Sequence, residues 1–221
     1  MKSKRYVLTL LSSALIVVLT AIGAAVSLTS RSVNILTAFG LENLKYFTVD
    51  SNLLLGLVCL TELVLAAAVR AGAIARMPAW IDTLQYVATV AVALTFTVVM
   101  VFFGPAVGYA PLLREGNFYF HLIVPALALI SFCTLRRGRF IPMAETALAL
   151  IPSLLYGIYY TVVLLIYGAH FPFTDWYGFA LGGVRGSLMS AAGIFLITWL
   201  LALLLRLAAG GTRRGAARRF I

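Results

Sequence analysis

Residues 46–62 read YFTVDSNLLLGLVCLTE, from Tyr46 to Glu62. The run is apolar enough to open a membrane span. Yet Thr48, Asp50, Ser51 and Asn52 fall in its first turns, and Glu62 lies well inside. Hydrocarbon offers these groups no hydrogen bond, so a chain that keeps them at membrane depth has partners or a use for them. At about 100° per residue, Thr48, Asn52, Leu55, Cys59 and Glu62 share one helical stripe. Asp50 points to the other side. The stripe is expected to face the protein interior.

The rest of the chain fits a membrane setting. Of its 221 residues, 62% are hydrophobic and 11% charged; a soluble domain has about 25% charge. Six apolar runs stand out: 6–27, 47–69, 81–103, 119–135, 146–167 and 187–205. Each approaches the roughly 20 residues that a bilayer requires. The first is too long for the apolar core of a signal peptide and is read as a helix. The expected fold is all-α: a polytopic membrane protein, one domain of six transmembrane helices over residues 1–221.

The net charge of +10 would suggest nucleic acid in a soluble protein. Here the basic residues sit in short connectors, and no basic domain exists to carry such binding. Lys2, Lys4, Arg5, Arg70, Arg76, Arg136, Arg137, Arg139, Arg206, Arg213, Arg214, Arg218 and Arg219 fall on the N-terminal side. Arg31, Lys45, Arg114 and Arg185 fall on the other. Thirteen against four predicts cytoplasmic termini in a plasma-membrane protein. The basic tail from Gly210 to Ile221 suits contact with anionic lipid. Membrane lipid is the expected partner, and no oligomeric state is indicated.

Several features exclude common chemistries. Cys59 and Cys133 lie in apolar runs without a CxxC or a His/Cys cluster, and read as free buried thiols. No metal-ligand spacing, phosphate loop or dinucleotide fingerprint occurs, so neither a metal nor a cofactor is expected. The outer connectors are rich in Gly, Pro and aromatics. Tyr109, Phe118, Tyr119, Phe171, Phe173, Trp176 and Tyr177 read as an interfacial belt.

Spans two and four both enter from the outer side. Thr48 and His121 therefore lie at similar depth, each about one turn into its helix. A threonine hydroxyl becomes a nucleophile when a base takes its proton, and neutral histidine is the usual base. Asn52 could orient a group or bind an oxyanion, and Asp50 or Asp175 could orient the imidazole. Ser51 adds a further hydroxyl. Pro125 withholds a donor from the His121 carbonyl. Structural roles compete with these. Thr48 also suits an N-cap, Asp50 a helix dipole, and Ser51 and Asn52 local backbone bonds. His170 and Asp175 fall in a loop, where solvation is the default. Glu62 reads as a packing or relay group, protonated or bonded to Tyr156, Tyr159 or Tyr160.

Tyr46-Phe47-Thr48 with Ser51-Asn52, then His121 with Pro125 in a six-span chain, resembles the androgen-induced-gene family. The layout is closest to its bacterial six-helix relatives, which also carry an element like Phe171-Pro172-Phe173 with Asp175 before the last span. The animal members are integral-membrane hydrolases that use a threonine and a histidine on fatty acid esters of hydroxy fatty acids. The resemblance implies Thr48 as nucleophile, His121 as base and a lipid ester as substrate. Two other classes stay open: a small transporter or channel along the Thr48–Glu62 stripe, and a non-catalytic scaffold.

Overall fold

The computed structural model describes residues 2–30 and 36–210, and its regular elements there are helices. Arg31 and the basic tail with Arg213, Arg214, Arg218 and Arg219 lie outside the described residues. Six helices are long and apolar enough to cross a membrane. They are α1 (Lys2–Thr29), α2 (Phe47–Arg70), α3 (Trp80–Val107), α4 (Glu115–Leu135), α5 (Met143–Tyr167) and α6 (Gly183–Ala208). All six expected spans are present. Helix α3 runs on beyond Phe103, and α4 and α6 begin earlier than the apolar runs suggested.

Prolines shape three of these helices. Pro125 has no N–H to give the His121 carbonyl, and α4 widens into a π-helical turn over Tyr119–Ile123 just before it. Helix α3 does the same over Val98–Phe103, ahead of Pro105. In α5, the Met143–Leu148 segment turns at Ala149 and Leu150 into Ile151–Tyr167, with Pro152 in the first turn, where a missing N–H costs nothing.

Helices α1 to α4 form the dense part of the bundle. Ile16, Leu55, Val58, Ile81, Val92 and Val124 interlock at its centre. Close approach depends on small residues. A Cβ on Gly23 would lie 2.7 Å from the Phe120 ring, and one on Gly56 would lie 2.7 Å from the Thr20 methyl. Helices α5 and α6 lean against this group with most of their surface outward; Leu165 and Val184 are about four-fifths exposed, at 80% and 78%. Such apolar exposure is the pattern of a lipid-facing surface.

The end of the bundle that carries the N-terminus is pinned by side chain to backbone bonds. Arg5 Nε donates to the Leu135 carbonyl at 2.6 Å, and Arg206 Nε to the Ile141 carbonyl at 2.8 Å. The opposite end holds the first turn of α2, the π turn of α4 and the 168–182 connector.

Candidate functional site

The expected stripe on α2 does face inward. Thr48, Asn52, Leu55, Cys59 and Glu62 are all buried, while Asp50 is half-buried on the other side. Thr48 is not the N-cap. Tyr46 holds that position with extended backbone, and no side chain caps the helix there. The Thr48 hydroxyl is thus free of a capping role, and no hydrogen bond engages it among the described residues. It lies on the wall of a cavity of about 420 Å³ between α2, α3, α5 and α6.

The cavity is apolar over most of its wall, with Leu94, Val98, Val99, Phe103 and Leu164 contributing. Towards α5 and α6 its lining residues are themselves exposed: Ile158 is 60%, Val162 44% and Phe195 49% exposed. It therefore opens sideways between the last two helices, onto the surface that carries exposed apolar side chains.

Towards the end of the bundle, the cavity is closed by the 168–182 connector. Asp175 and Trp176 are buried, not solvated as the loop composition suggested. Asp175 accepts the Tyr160 hydroxyl and, at 3.0 Å, the Ala180 N–H. Trp176 Nε1 donates to the Tyr156 hydroxyl at 3.0 Å, and that hydroxyl donates to the Lys45 carbonyl. The Tyr177 hydroxyl accepts the Phe47 N–H at 3.0 Å, satisfying a donor at the open end of α2. Trp176 and Tyr177 are therefore a plug rather than part of a belt, whereas Phe171 and Phe173 are exposed as a belt requires. Burial pushes the Tyr177 hydroxyl well above its usual value. Burial, with Glu42 adding, pushes the Tyr46 hydroxyl up to about 12. Both phenols stay neutral at ordinary pH.

His121 is completely buried in the π turn of α4. Its Nδ1 meets the Leu112 carbonyl at 2.6 Å. A carbonyl only accepts, so Nδ1 carries the proton and Nε2 is the acceptor of the neutral ring. Nε2 has no hydrogen-bond partner in the chain. The orienting group is thus a backbone carbonyl, and neither Asp50 nor Asp175 serves the imidazole. His121 does not hydrogen-bond Thr48.

What joins the two helices is Asn52. Its Nδ2 donates to the Thr48 carbonyl at 2.7 Å and to the Phe120 carbonyl at 3.0 Å. A carboxamide has two N–H groups, and both are spent here, so Asn52 has none to offer an oxyanion. It ties the Thr48 turn to the residue preceding His121. Ser51 donates to the Thr48 carbonyl at 3.1 Å and pairs with Thr95 at 3.0 Å across to α3. Both residues hold the site together.

Glu62 lies elsewhere and does not meet a tyrosine. Its Oε2 accepts Ser13 Oγ at 2.6 Å, Gln85 Nε2 at 3.1 Å and Arg136 at 2.7 Å. Arg136 follows the last residue of α4, and its long side chain reaches back into the bundle. Cys59 packs beside Gln85, and both cysteines are free. His170 is exposed in its loop.

Fold and site define a multi-pass membrane protein of six helices, with a laterally open cavity beside a buried threonine. Comparison with known proteins gives no match: no family model, no characterised protein and no solved structure is significantly similar to this chain.

Proposed function

We propose that this protein is an intramembrane hydrolase of lipid or fatty-acid esters, with Thr48 as nucleophile and His121 as base. The observation that carries the reading is the Thr48 hydroxyl, uncapped and unbonded, on the wall of an apolar cavity that opens sideways. A threonine on the wall of an apolar cavity, its hydroxyl spent on no hydrogen bond, is available to a substrate carbonyl. An acyl chain suits the apolar wall, which would set the ester carbonyl against Thr48. Thr48 Oγ would attack that carbonyl and its proton would pass to His121 Nε2. Collapse of the tetrahedral adduct would release the alcohol, which takes the proton back. Water would then cleave the Thr48 ester and free the acid. Because His121 is not on the wall of the Thr48 cavity and is not bonded to Thr48, the proton transfer calls for a side-chain shift on substrate binding or a bridging water.

The proposed setting is the plasma membrane with both termini in the cytoplasm, which the thirteen-to-four split of basic residues supports. Thr48 would then face the outer leaflet. The test is turnover of long-chain ester substrates by protein in lipid nanodiscs. Thr48→Val keeps the shape and removes the oxygen, so it should abolish turnover while the protein stays folded. Retained turnover in that variant sinks the reading.

A second reading has its own support. Buried polar pairs continue down the bundle from Thr48: Ser51–Thr95, Cys59–Gln85, then Glu62 with Arg136. Such a seam could conduct protons in a small transporter. Proton flux into liposomes that falls with Glu62→Gln, in variant protein whose melt shows it folded, would support it, and the absence of flux would remove it.

A further inference from the structure

Asp50 is the one stripe-opposed acid of α2, and the hydrolase reading does not use it. Its carboxylate lines a second hollow of about 230 Å³ between α2 and α5. The walls are Phe47, Leu54, Leu155, Tyr156 and Tyr159. The Phe47 and Tyr156 rings lie 5.2 Å apart and the Tyr156 and Tyr159 rings 5.9 Å apart. Three aromatic rings thus stand in a row beside one carboxylate. The volume is several times the roughly 30 Å³ share of one water molecule.

Among the described residues, no hydrogen bond or ion pair reaches the Asp50 carboxylate. The described cations of that side are placed elsewhere. Lys45 Nζ lies over the Tyr46 ring at 5.5 Å and the Trp176 ring at 5.7 Å. Arg114 and Arg185 are exposed, and Arg136 is bound to Glu62. The N-terminus of α2 offsets part of the cost of a half-buried carboxylate in an apolar wall, and a bound cation would offset more. Aromatic faces attract cations by their quadrupole, and a carboxylate flanked by rings is the chemistry that recognises an organic ammonium. Asp50 is the fourth residue of its span, about 5 Å inside the end at a rise of 1.5 Å per residue. At 24 residues α2 is longer than the roughly 30 Å hydrocarbon core requires, so its first turn reaches the headgroup region, where lipid ammonium groups lie.

We propose that the Asp50 hollow is a binding site for an organic ammonium group, with Phe47, Tyr156 and Tyr159 as its aromatic wall. The site is separate from the Thr48 cavity. Phe47 and Tyr156 line both, so occupancy of one can be felt at the other.

The test uses the full chain in nanodiscs and two probes, because the ammonium could belong to a lipid or to a free amine. Tetramethylammonium chloride is titrated by calorimetry against sodium chloride at equal ionic strength. Separately, nanodiscs of equal phosphatidylcholine and phosphatidylglycerol are opened in the mass spectrometer and the retained lipid is identified. Asp50→Asn should weaken whichever binding is seen by about five- to thirty-fold, as expected for a partly desolvated cation–aromatic site. Tyr159→Leu, at an exposed position, should weaken it too, and it decides the matter if the Asp50 variant does not fold. Retained phosphatidylcholine assigns a lipid headgroup. Tetramethylammonium binding without lipid preference assigns a free amine. If neither probe binds in a way that depends on Asp50 or Tyr159, the proposal is overturned. None of these outcomes depends on ester turnover.

Discussion

The Asn52 carboxamide spans two helices, giving one N–H to the Thr48 carbonyl within α2 and the other to the Phe120 carbonyl of α4, 3.0 Å away. The link runs from the Thr48 turn to the residue before His121, and Thr48 and His121 share no bond of their own. Asn52→Leu should therefore leave a buried carbonyl unpaired and cost about 1–3 kcal/mol. It should also loosen the two helices at the site. The check is a thermal melt in detergent beside ester turnover in nanodiscs. Lost turnover with an unchanged melting temperature would assign Asn52 to chemistry instead.

Glu62 and Arg136 form a buried ion pair at the far end of the bundle, with side chains only 7% and 13% exposed. Glu62→Gln keeps a partner for Ser13 but strands the guanidinium, so it should destabilise by roughly 3–5 kcal/mol, as for one-sided loss of a buried pair. Asp82 sits 3.8 Å from the same guanidinium and should soften the loss. The double change Glu62→Leu with Arg136→Met should recover much of it. Denaturant titration of the three variants checks the pattern. A double variant as weak as the single one contradicts a simple ion pair.

How much of this was legible in the sequence differs by element. The six helices follow from the length of the apolar runs, and the inward face of α2 follows from helical periodicity. The partners of Glu62 and Asp175 do not. Arg136 lies 74 residues from Glu62 along the chain, and no local pattern pairs them. Depth bookkeeping could have found it, since Glu62 sits near enough to the end of α2 for an arginine beyond α4 to reach back. The 168–182 connector reads as a solvated loop because Gly, Pro and Asp are turn residues. Its burial depends on Tyr160, on the preceding helix, accepting the role of donor to Asp175. Thr48 read equally as nucleophile or N-cap, because whether a helix begins at Phe47 or a residue or two later is below what residue preferences resolve.

The connector plug gives a third prediction. Tyr160→Phe removes the donor that holds Asp175 and leaves that carboxylate with the Ala180 N–H. A hydrogen bond to a charged group contributes about 1.5–3 kcal/mol. Hydrogen–deuterium exchange should rise over residues 168–182 and stay unchanged in α1. Unchanged exchange in the connector would mean that the aromatic contacts of Trp176 and Tyr177 hold it alone.

Gly157 offers a clean way to fill the Thr48 cavity. It lines the cavity, and a Cβ added there meets no atom within 4 Å. Gly157→Phe should leave the fold stable, since helix preference changes by only about 0.5 kcal/mol and in the favourable direction. It should block acyl chains and raise KM or abolish turnover. Full turnover of long-chain substrates by this variant would show that the chain lies elsewhere.

Covalent labelling tests the proposed nucleophilic role of the Thr48 hydroxyl. A lipid-like fluorophosphonate reacts covalently with activated hydroxyls, and peptide mapping by mass spectrometry then locates the adduct. One adduct is expected on Thr48 in the wild-type protein, none in Thr48→Val, and slow labelling in His121→Ala. Labelling of wild-type protein at another hydroxyl, or no labelling of Thr48 while ester turnover proceeds, would contradict it.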